Sequence, residues 1–496
     1  MLFRSGSAYV ALVLLLPLVM LLSVVPGIAL LTWIGIYERP LWALAAAPLV
    51  GGAFVFFLTQ EVVVLKWLAL GRVRAGRYPV HGAFYVRKWF ADQLLAMSLD
   101  YVGHLHATLY VAPWYRALGA RLARFVELST ATSTTPDLLE IGEGGTVADE
   151  VSFGAARVER GWLTLAPTRI GRRAFLGNSA VLRAGATLGH GSLVGVLSVS
   201  PRQPGQAARP DASWLGSPPI LLPRRQPSAS FGEQRTYQPT RKLQLARGAF
   251  ELLRVTLPPA GFVFVTTAVV TAAVALWQWT GAAIMLAMLP LVYAACCAVV
   301  LVGVAAAKWL IVGRFRPFTR PLWSLFVWRL ELANAFYEFL ATPLALEALK
   351  GTPLLPWYFR LLGAKFGRGV YADSTSLLEF DLVKVGDRVV LNEGCILQTH
   401  LFEDRVLKSS WLRIGDDCSI GACSVVLYDA EMQAGARLDA LSLAMKGETL
   451  PAYTAWTGIP ASLDTEAVRG RLQNLGGPSE DGAGEGELVS LLAASR

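Results

Sequence analysis

Long apolar runs alternate with more polar stretches along this chain. Four runs contain no charged residue, and they extend over about Ala8–Ile36, 41–60, Gly261–Trp277 and Ala282–Ala306. A membrane-spanning helix needs roughly 20 apolar residues, and the first run is too long for the core of a signal peptide. The sequence therefore predicts at least four membrane spans, arranged as two pairs.

The region after each pair has a shorter period, with an aliphatic residue at every sixth position and a small residue four positions later. The aliphatic positions are Ile170, Leu176, Leu182, Leu188 and Val194, and then Ile414, Ile420, Val426, Met432 and Leu438. The small residues are Ala174, Ala180, Ala186, Ser192 and Ser198, and then Cys418, Ser424, Ala430, Ala436 and Ser442. Period six fits neither a helix nor an alternating strand. It is typical of a parallel β-helix, whose coils contain three short strands around an aliphatic interior.

The two halves of the chain are copies of one unit. Pro113-Trp114-Tyr115 recurs as Pro356-Trp357-Tyr358, and from Arg116 onward each position corresponds to the one 244 residues later. Both period-six ladders break at the same place, which predicts inserted loops at Gly154–Arg169 and Gln398–Arg413. A loop outside the coil stack leaves the core intact, so it can carry chemistry.

These patterns predict a membrane α-helical plus all-β fold class, with tandem β-helix domains on four to six transmembrane helices. The segments are a helix pair at 1–70, an amphipathic connector at 71–112, a β-helix at 113–222, a linker at 223–254, a helix pair at 255–312, a connector at 313–355, a β-helix at 356–475 and a disordered tail at 476–496. In the connectors, Trp89–Leu109 and Leu330–Leu346 are apolar but interrupted by charge. They suit two further spans or helices lying in the membrane interface, and we favour the interface.

Composition and charge support a membrane protein. Hydrophobic residues make up 54% of the 496 residues and charged residues only 16%, against roughly 25% in soluble proteins. The net charge of +9 comes from basic residues beside the apolar runs, so we interpret it as membrane topology and not as nucleic-acid binding. By the positive-inside rule, both β-helix domains and both termini face the cytoplasm from a multi-pass position in the cell (plasma or inner) membrane.

The cysteines predict no structural cross-link or metal site. The five cysteines form no Cys-x-x-Cys pair, and their total is odd. This pattern fits a reduced compartment facing the cytoplasm. Metal ligands are not clustered in the sequence either, so we expect no bound metal.

His400 is the histidine whose position favours catalysis, because it lies in the second inserted loop. It is followed by Glu403 and Asp404, and a histidine near carboxylates can take a proton from an attacking amine near pH 7. We therefore assign His400 as the base, Asp404 as the carboxylate that orients it, and Glu403 to the same catalytic group. Alternatively, His400 caps the loop and the charged run is a solvated surface. The corresponding residue of the first half is Ala156, so that half cannot run the same chemistry at this place.

The other histidines point less clearly to chemistry. His190 either assists donor binding or is a solvated or packed residue of the first ladder. His104 and His106 lie on the first connector, where neutral packing near the membrane is the expectation. His81 lies in a basic flank and has no assigned role.

Four sequence strings carry a resemblance to a known family. They are Phe175-Leu176-Gly177-Asn178, the run from Thr399 to Lys408, Met445-Lys446-Gly447-Glu448, and Trp456-Thr457-Gly458-Ile459-Pro460-Ala461. To about Leu475, the chain resembles the membrane-embedded C-terminal region of the poly-ε-lysine synthetase type of non-ribosomal peptide synthetase. The resemblance implies left-handed β-helices and the joining of carrier-loaded amino acids into a homopolymer.

The same resemblance implies partners for the chain. In that family, an adenylation domain and a phosphopantetheine carrier domain precede this region, whereas this sequence begins near the first membrane helix and contains neither. We therefore expect an adenylation and carrier protein to act in trans, or a different acyl donor to be used. Other expected partners are the lipid bilayer, an amine acceptor or growing peptide, and further copies of the chain, but no nucleic acid.

A donor site is implied beside the turn that ends the second ladder, because hexad-repeat acyltransferases bind pantetheine beside such Gly and Pro turns. The donor is the phosphopantetheine of a carrier protein, or coenzyme A, bound as a substrate. The residues assigned to it are Arg405, Lys408, Lys446, Trp456, Gly458 and Pro460. Alternatively, the turn only ends the coil and Lys446 pairs with Glu448.

The sequence thus predicts a membrane-bound acyltransferase that joins carrier-bound aminoacyl units to an amine. Two other functions stay open. One is O- or N-acetyl transfer from coenzyme A, and the other is a non-catalytic membrane scaffold for a separate peptide synthetase.

Overall fold

The structure is a computed structural model that describes residues 2–37, 40–154, 156–223 and 231–474. The chain divides into two compact units, with residues 1–226, 237–302 and 335–340 in one and residues 227–236, 303–334 and 341–496 in the other, as far as these residues are described. The predicted tail at 476–496 and part of the predicted linker lie outside the described residues.

The long helices come in two consecutive pairs, and shorter helices follow each pair. The helices are α1 Leu2–Tyr37, α2 Pro40–Ala69, α3 Ala83–Val102, α4 Val111–Ala117, α5 Pro204–Ala207, α6 Arg241–Thr280, α7 Ala282–Ile311, α8 Leu325–Phe336, α9 Glu347–Leu349, α10 Leu354–Leu362 and α11 Thr465–Asn474. A π-helical segment, Tyr337–Leu346, connects α8 to α9.

In the described part of the chain, four helices are long and apolar enough to cross a membrane, namely α1, α2, α6 and α7. This confirms the four predicted long apolar helices, and their crossing of a membrane stays a prediction. Helix α3 and helix α8 do not meet the same criteria. Helix α2 crosses α6 closely, because Gly51 has no side chain and a Cβ there would lie 2.6 Å from the backbone of Ala260.

Helix α6 begins earlier than the sequence predicted. Residues 241–254, assigned to a linker, form its first turns, and the Thr240 side chain caps the helix by accepting a hydrogen bond from the Leu243 N–H. These turns are held by the buried Arg247, which forms ion pairs with Glu251 one turn later and with Glu127 of the first β-helix. The charged residues of this segment suggested a linker in the sequence. In the structure, Arg247 and Glu251 are instead part of a buried ion-pair network.

Fifteen strands lie in the described residues of the first unit. They are β1 Gly76–Pro79, β2 Arg121–Leu122, β3 Glu127–Leu128, β4 Ala131–Thr132, β5 Leu139–Ile141, β6 Thr146–Val147, β7 Val151–Ser152, β8 Arg157–Glu159, β9 Trp162–Leu165, β10 Thr168–Ile170, β11 Phe175–Leu176, β12 Thr187–Leu188, β13 Leu193–Val194, β14 Ser213–Leu215 and β15 Ile220–Leu222. Parallel pairing stacks β2, β5, β10 and β12 in one sheet, β3, β6, β11, β13 and β14 in a second, and β4 and β7 in a third.

The second unit repeats this arrangement. Its strands are β16 Phe318–Pro321, β17 Lys365–Phe366, β18 Tyr371–Ala372, β19 Val383–Val385, β20 Val390–Leu391, β21 Ile396–Gln398, β22 His400–Glu403, β23 Val406–Ser409, β24 Leu412–Ile414, β25 Ser419–Ile420, β26 Val425–Leu427, β27 Glu431–Met432, β28 Arg437–Leu438, β29 Leu443–Ala444, β30 Thr449–Leu450, β31 Ala455–Thr457 and β32 Ser462–Leu463. The three parallel stacks are β17, β19, β24, β27 and β30, then β18, β20, β25, β28 and β31, and then β21, β26 and β29.

Strand register explains the period of six. Ile414 lies beside Met432, and Ile420 lies beside Leu438, so each coil of the stack uses three repeats. All ten aliphatic positions of the two ladders are at most 3% exposed. Burying an aliphatic side chain stabilises the folded state by about 1.5–3 kcal/mol, so this repeated interior is the main source of coil stability. The prediction of two stacks of parallel strands is confirmed. The left-handed sense of the coils stays a prediction.

The inserted loops are β-hairpins, and a third strand holds each of them. In the first unit, β9 pairs antiparallel with β8 and also with β1, which follows the membrane helix α2. In the second unit, β23 pairs in the same way with β22 and with β16, which follows α7. The chain that leaves each membrane helix pair therefore fixes the loop that the sequence singled out for chemistry.

Candidate active site

His400 lies at the base of the second hairpin, where the coil strand β21 ends and β22 begins. Two hydrogen bonds fix the backbone at this point. The Ser409 hydroxyl donates to the carbonyl of Thr399 at 2.8 Å, and the Gln398 amide donates to the carbonyl of His400 at 2.9 Å. The imidazole is therefore presented from a rigid junction and not from the tip of a loop.

The preceding coil supplies a carboxylate beside this junction. Leu377 and Leu397 form a parallel bridge, so Glu379, two residues further on, lies next to Thr399. Nδ1 of His400 is 2.8 Å from Oε2 of Glu379, and the Thr399 hydroxyl donates to the same oxygen. The Glu379 side chain is fully buried, whereas the His400 side chain is 15% exposed.

Electrostatics keep this carboxylate ionised. Burial alone would raise the pKa of Glu379, but the charge and hydrogen bond of His400 and the hydrogen bond of Thr399 outweigh it and hold the pKa below its usual range. An ionised carboxylate only accepts hydrogen bonds, so Nδ1 of His400 carries a proton. In the neutral ring, Nε2 is then the unprotonated nitrogen, which is the one that can accept a proton.

The structure pairs His400 with a carboxylate that the sequence analysis did not consider. Asp404, which was assigned to this role, lies in the hairpin turn with a φ of 50°. His400 is the first residue of β22, and four residues of strand span about 13 Å, so Asp404 lies at the opposite end of the hairpin. Strand geometry separates two residues that are close in sequence, while coil stacking brings Glu379 across from 21 residues earlier.

Glu403, also assigned to catalysis, is the centre of an ion-pair cluster. Lys408 of the same hairpin is 2.8 Å from one of its oxygens, and Lys446 of a later coil is 2.6 Å from the other. Burial would raise the pKa of Glu403, but these two ammonium groups hold it below its usual range. The cluster fastens the hairpin to the coil stack, so Glu403 has a structural partner on each side.

The residues assigned to the donor site lie in three places, and two of them, Lys408 and Lys446, belong to the ion-pair cluster of Glu403. Arg405 is 2% exposed and stands at the hairpin turn with a φ of 63°, so its side chain is directed into the protein. Trp456, Gly458 and Pro460 lie together at and after β31, where the last coil ends. The Trp456 indole donates to the Thr454 hydroxyl at 2.8 Å.

The suggested pairing of Lys446 with Glu448 is replaced by the pair of Lys446 with Glu403. The Glu448 carboxylate instead accepts a hydrogen bond from the Met445 N–H at 2.7 Å. Burial raises the pKa of Glu448, an effect that this hydrogen bond only partly opposes. Lys446 therefore contacts the hairpin, whereas Glu448 contacts the backbone of its own coil.

The first half has neither member of the histidine–glutamate pair. The positions that correspond to His400 and Glu379 are Ala156 and Thr135. Both line a cavity of about 20 Å³ beside the first hairpin. Comparing the halves position by position would have found Glu379. The second half has this glutamate where the first half has Thr135, two residues before an aspartate that both halves share.

The remaining histidines have the environments that the sequence suggested. His104 and His106 are buried, and loss of hydration lowers their pKa values to about 3 and about 4, so both are neutral. His190 is exposed, and its Nδ1 accepts a hydrogen bond from the Arg172 N–H at 2.9 Å. Within the described residues, no group of three His, Cys, Asp or Glu side chains is placed to hold a metal ion.

Comparison with known proteins finds a relative in sequence. The chain is 39% identical to delta-poly-L-ornithine synthetase of Acinetobacter baumannii over 400 residues, which are 80% of this chain and 30% of that protein. This chain thus spans less than a third of the length of the curated relative that it matches. No protein-family profile matches the chain.

Solved structures align only over parts of the chain. A hexapeptide-repeat acetyltransferase from Vibrio cholerae is 14% identical, with 34% of this chain and 90% of that chain covered and a TM-score of 0.21. Soybean serine acetyltransferase is 17% identical, with 44% and 76% covered and a TM-score of 0.18. The fold assignment therefore rests on the strand pairing itself, and the chain is similar over four-fifths of its length to part of a delta-poly-L-ornithine synthetase.

Proposed function

We propose that this chain is a membrane-bound acyltransferase that forms amide bonds between aminoacyl units. The donor is a thioester on the phosphopantetheine of a carrier protein. The acceptor is the amine of an amino acid or of the growing peptide. The observation that carries this proposal is the contact of a partly exposed His400 imidazole with the buried, ionised Glu379.

His400 acts as the general base in the proposed reaction. The amine nitrogen attacks the thioester carbonyl carbon, and Nε2 of His400 takes a proton from the amine as the C–N bond forms. The intermediate then collapses, the C–S bond breaks, and the imidazolium returns the proton to the departing sulfur. The products are an amide and a free thiol. Glu379 stays ionised and stabilises the imidazolium through Nδ1.

The acceptor is proposed to be a basic amino acid, with ornithine joined through its side-chain amine. The name of the sequence relative suggests this unit. Charge supports it, because residues 356–475 contain fifteen acidic and twelve basic residues, whereas residues 113–222 contain eight acidic and eleven basic residues. An acidic catalytic domain attracts a cationic acceptor. We also propose that both β-helix domains face the cytoplasm, where carrier proteins are loaded.

The test measures amide formation by membranes that contain the full chain. Ornithyl-pantetheine thioester serves as donor and ornithine as acceptor, with products identified by mass spectrometry. His400→Ala removes the base, and His400→Asn keeps an amide near Glu379, so that the buried carboxylate is not left without a partner. Both variants are expected to lose at least about 100-fold in rate.

His81→Asn is the matched control, because His81 is exposed and belongs to the first unit. It is expected to keep full activity. Activity that survives in His400→Asn would refute the proposed base, and wild-type membranes without any product would favour the scaffold function. Transfer of acetyl groups from acetyl-coenzyme A, in place of ornithyl transfer, would favour the acetyltransferase function.

A further inference from the structure

The first β-helix has an open groove of about 810 Å³ along the sheet formed by β2, β5, β10 and β12. Its charged lining consists of four arginines and one glutamate, which are Arg116, Arg121, Arg169, Arg172 and Glu140. The histidine–glutamate pair of the second half has no counterpart in this half. The groove is therefore a separate feature that the proposed chemistry does not explain.

Strand register places part of this charge in one row. Arg121 lies beside Glu140, and Glu140 lies beside Arg169, on three successive coils. Neighbouring strands are about 4.8 Å apart, so Arg121 and Arg169 are separated by about 10 Å on one face. Glu140 is 3.5 Å from Arg169, and one acid thus offsets one of the arginines.

Arg116 has a structural role at the end of the groove. Its guanidinium donates to the carbonyls of Leu122 at 3.0 Å and Ala123 at 2.7 Å, which fixes the start of the first coil. We therefore leave Arg116 out of the ligand site.

Two further hydrogen-bond donors, His190 and Arg173, lie at the corner of the coils that follows strands β10 and β12. His190 lies one coil after Arg172, and its Nδ1 accepts the Arg172 backbone N–H, so the neutral ring carries its proton on Nε2. A second cavity of about 430 Å³ adjoins this corner and shares Arg172 and His190 with the groove. It adds Arg173, whose guanidinium stacks over Tyr237 at 4.3 Å. The donors thus continue around the corner.

The second half lacks this cationic corner although the coils are the same. At the positions of Arg172 and His190 it has Asp416 and Ala434, and at the position of Thr187 it has Glu431. Asp416 accepts a hydrogen bond from the Asp387 N–H at 2.8 Å and so serves the coil itself. The β-helix fold therefore does not require arginine and histidine at this corner.

The lining indicates a small phosphate-bearing ligand. The three cations that remain, Arg121, Arg169 and Arg172, are all arginines, whose planar guanidinium groups match two phosphate oxygens at once. The groove volume is in the range of small-molecule sites. Nucleic acid is disfavoured, because no Phe, Tyr or Trp stands among the described residues that line the groove, so bases have no stacking surface.

We propose that this groove binds a ligand with at least two phosphate or phosphodiester charges, held by Arg121, Arg169 and Arg172 with His190 as an additional donor. Two sources supply this chemistry, a soluble phosphate ester and the headgroup of an anionic phospholipid. The half of the chain that lacks the catalytic pair would then be a ligand-binding domain. The proposal does not depend on acyl transfer, since the site and its test involve no acyl donor.

Binding is measured on the full chain in detergent, without acyl donor or acceptor. Isothermal titration with sodium triphosphate at about 0.15 M salt tests the soluble source. Native mass spectrometry of retained phosphatidylglycerol, with phosphatidylcholine as the neutral comparison, tests the lipid source. The double variant R169A/R172A is expected to weaken triphosphate binding, or to reduce retained phosphatidylglycerol, at least tenfold. Both side chains are exposed, so the variant keeps the coil interior intact.

The control is Arg157→Gln, which removes an exposed arginine of the first hairpin outside the groove. Saturable binding that R169A/R172A loses and R157Q retains supports the proposal, and the probe that binds identifies the source. The proposal is overturned if neither probe binds the wild-type chain, or if R157Q loses as much binding as the double variant.

Discussion

Nδ1 of His400 lies 2.8 Å from Oε2 of Glu379, and this contact joins two neighbouring coils of the second β-helix. Glu379→Gln removes the charge but keeps the shape. We expect it to lower kcat at least about tenfold with little change in KM, because the amide neither fixes the tautomer of the imidazole nor stabilises the imidazolium. Steady-state rates of amide formation in membranes check this expectation.

The control for this variant is Glu393→Gln, at an exposed glutamate of the same domain, with thermal unfolding measured in parallel. Glu393→Gln is expected to behave as wild type. The orienting role fails if Glu379→Gln retains kcat, or if the double variant E379Q/H400N shows the full sum of two independent losses, because residues that act as one unit are not additive.

The ion-pair cluster around Glu403 fastens the second hairpin to the coils. We therefore expect the mobility of this hairpin to control activity. Lys446→Met removes the link between hairpin and coil while keeping the length of the side chain. We expect faster amide hydrogen exchange in residues 400–409 and a rate of amide formation lowered about three- to tenfold, because small displacements of a catalytic group are costly. Hydrogen-exchange mass spectrometry and the transfer assay measure the two effects.

Arg388→Gln is the comparison for the Lys446 variant. It breaks an ion pair with Asp417 in the same domain, but the two side chains are 64% and 49% exposed. Exposed pairs contribute little, so neither exchange nor rate should change. Unaltered exchange in Lys446→Met would contradict a clamping role for the cluster.

Within each unit, a buried ion pair links the last turns of a long apolar helix to the β-helix. Lys66 lies 2.8 Å from Asp137, and Lys308 lies 2.6 Å from Asp381, at matching places in the two halves. Asp381→Asn leaves the Lys308 ammonium buried without its counter-ion, which is expected to cost about 3–5 kcal/mol of stability. Thermal unfolding and limited proteolysis of the second unit report this loss.

The double variant K308M/D381L tests whether charge or packing causes the loss. Removing both charges is expected to restore most of the stability, since a buried pair is often replaceable by apolar residues of similar size. Arg413→Gln, which breaks a more exposed pair with Glu431, serves as control. If Asp381→Asn unfolds like wild type, the pair does not hold the helix to the domain.

Acid should destabilise the first unit through its buried histidines. The pKa values of His104 and His106, lowered to about 3 and about 4 by burial, lie below the ordinary value of 6.5. The unfolded chain therefore binds protons below pH 6.5 that the folded chain excludes, so the stability that these residues support is complete above pH 6.5 and falls as the pH drops. Each is expected to remove about 2 kcal/mol between pH 6.5 and pH 5.

His106→Phe isolates this effect, because it keeps an aromatic ring between Trp114 and Tyr115 without a titrating group. The unfolding temperature of the variant should fall less than that of wild type between pH 7 and pH 5. Equal slopes for the two proteins would contradict the prediction.

Much of the fold was predictable because its patterns are local and repeated. Residues such as Ile414 and Met432 recur at a fixed spacing, and one interior side chain per short strand leaves few alternatives to a stack of coils. The position of the inserted hairpins followed from the interruption of the same spacing. The strands β1 and β16 were not predictable in this way, because each is only four residues long and pairs with a partner distant in sequence.

The sequence by itself determined the four apolar helices, the duplication, the parallel coils and the histidine that lies at the break in the second ladder. It did so because hydrophobic periodicity and burial are properties of neighbouring residues. Only the tertiary structure decided which carboxylate meets His400 and which lysines meet Glu403. Coil stacking brings Glu379 to His400 from 21 residues away and Lys446 to Glu403 from 43 residues away. The extended strand β22 separates His400 from Asp404, although the two are close in sequence.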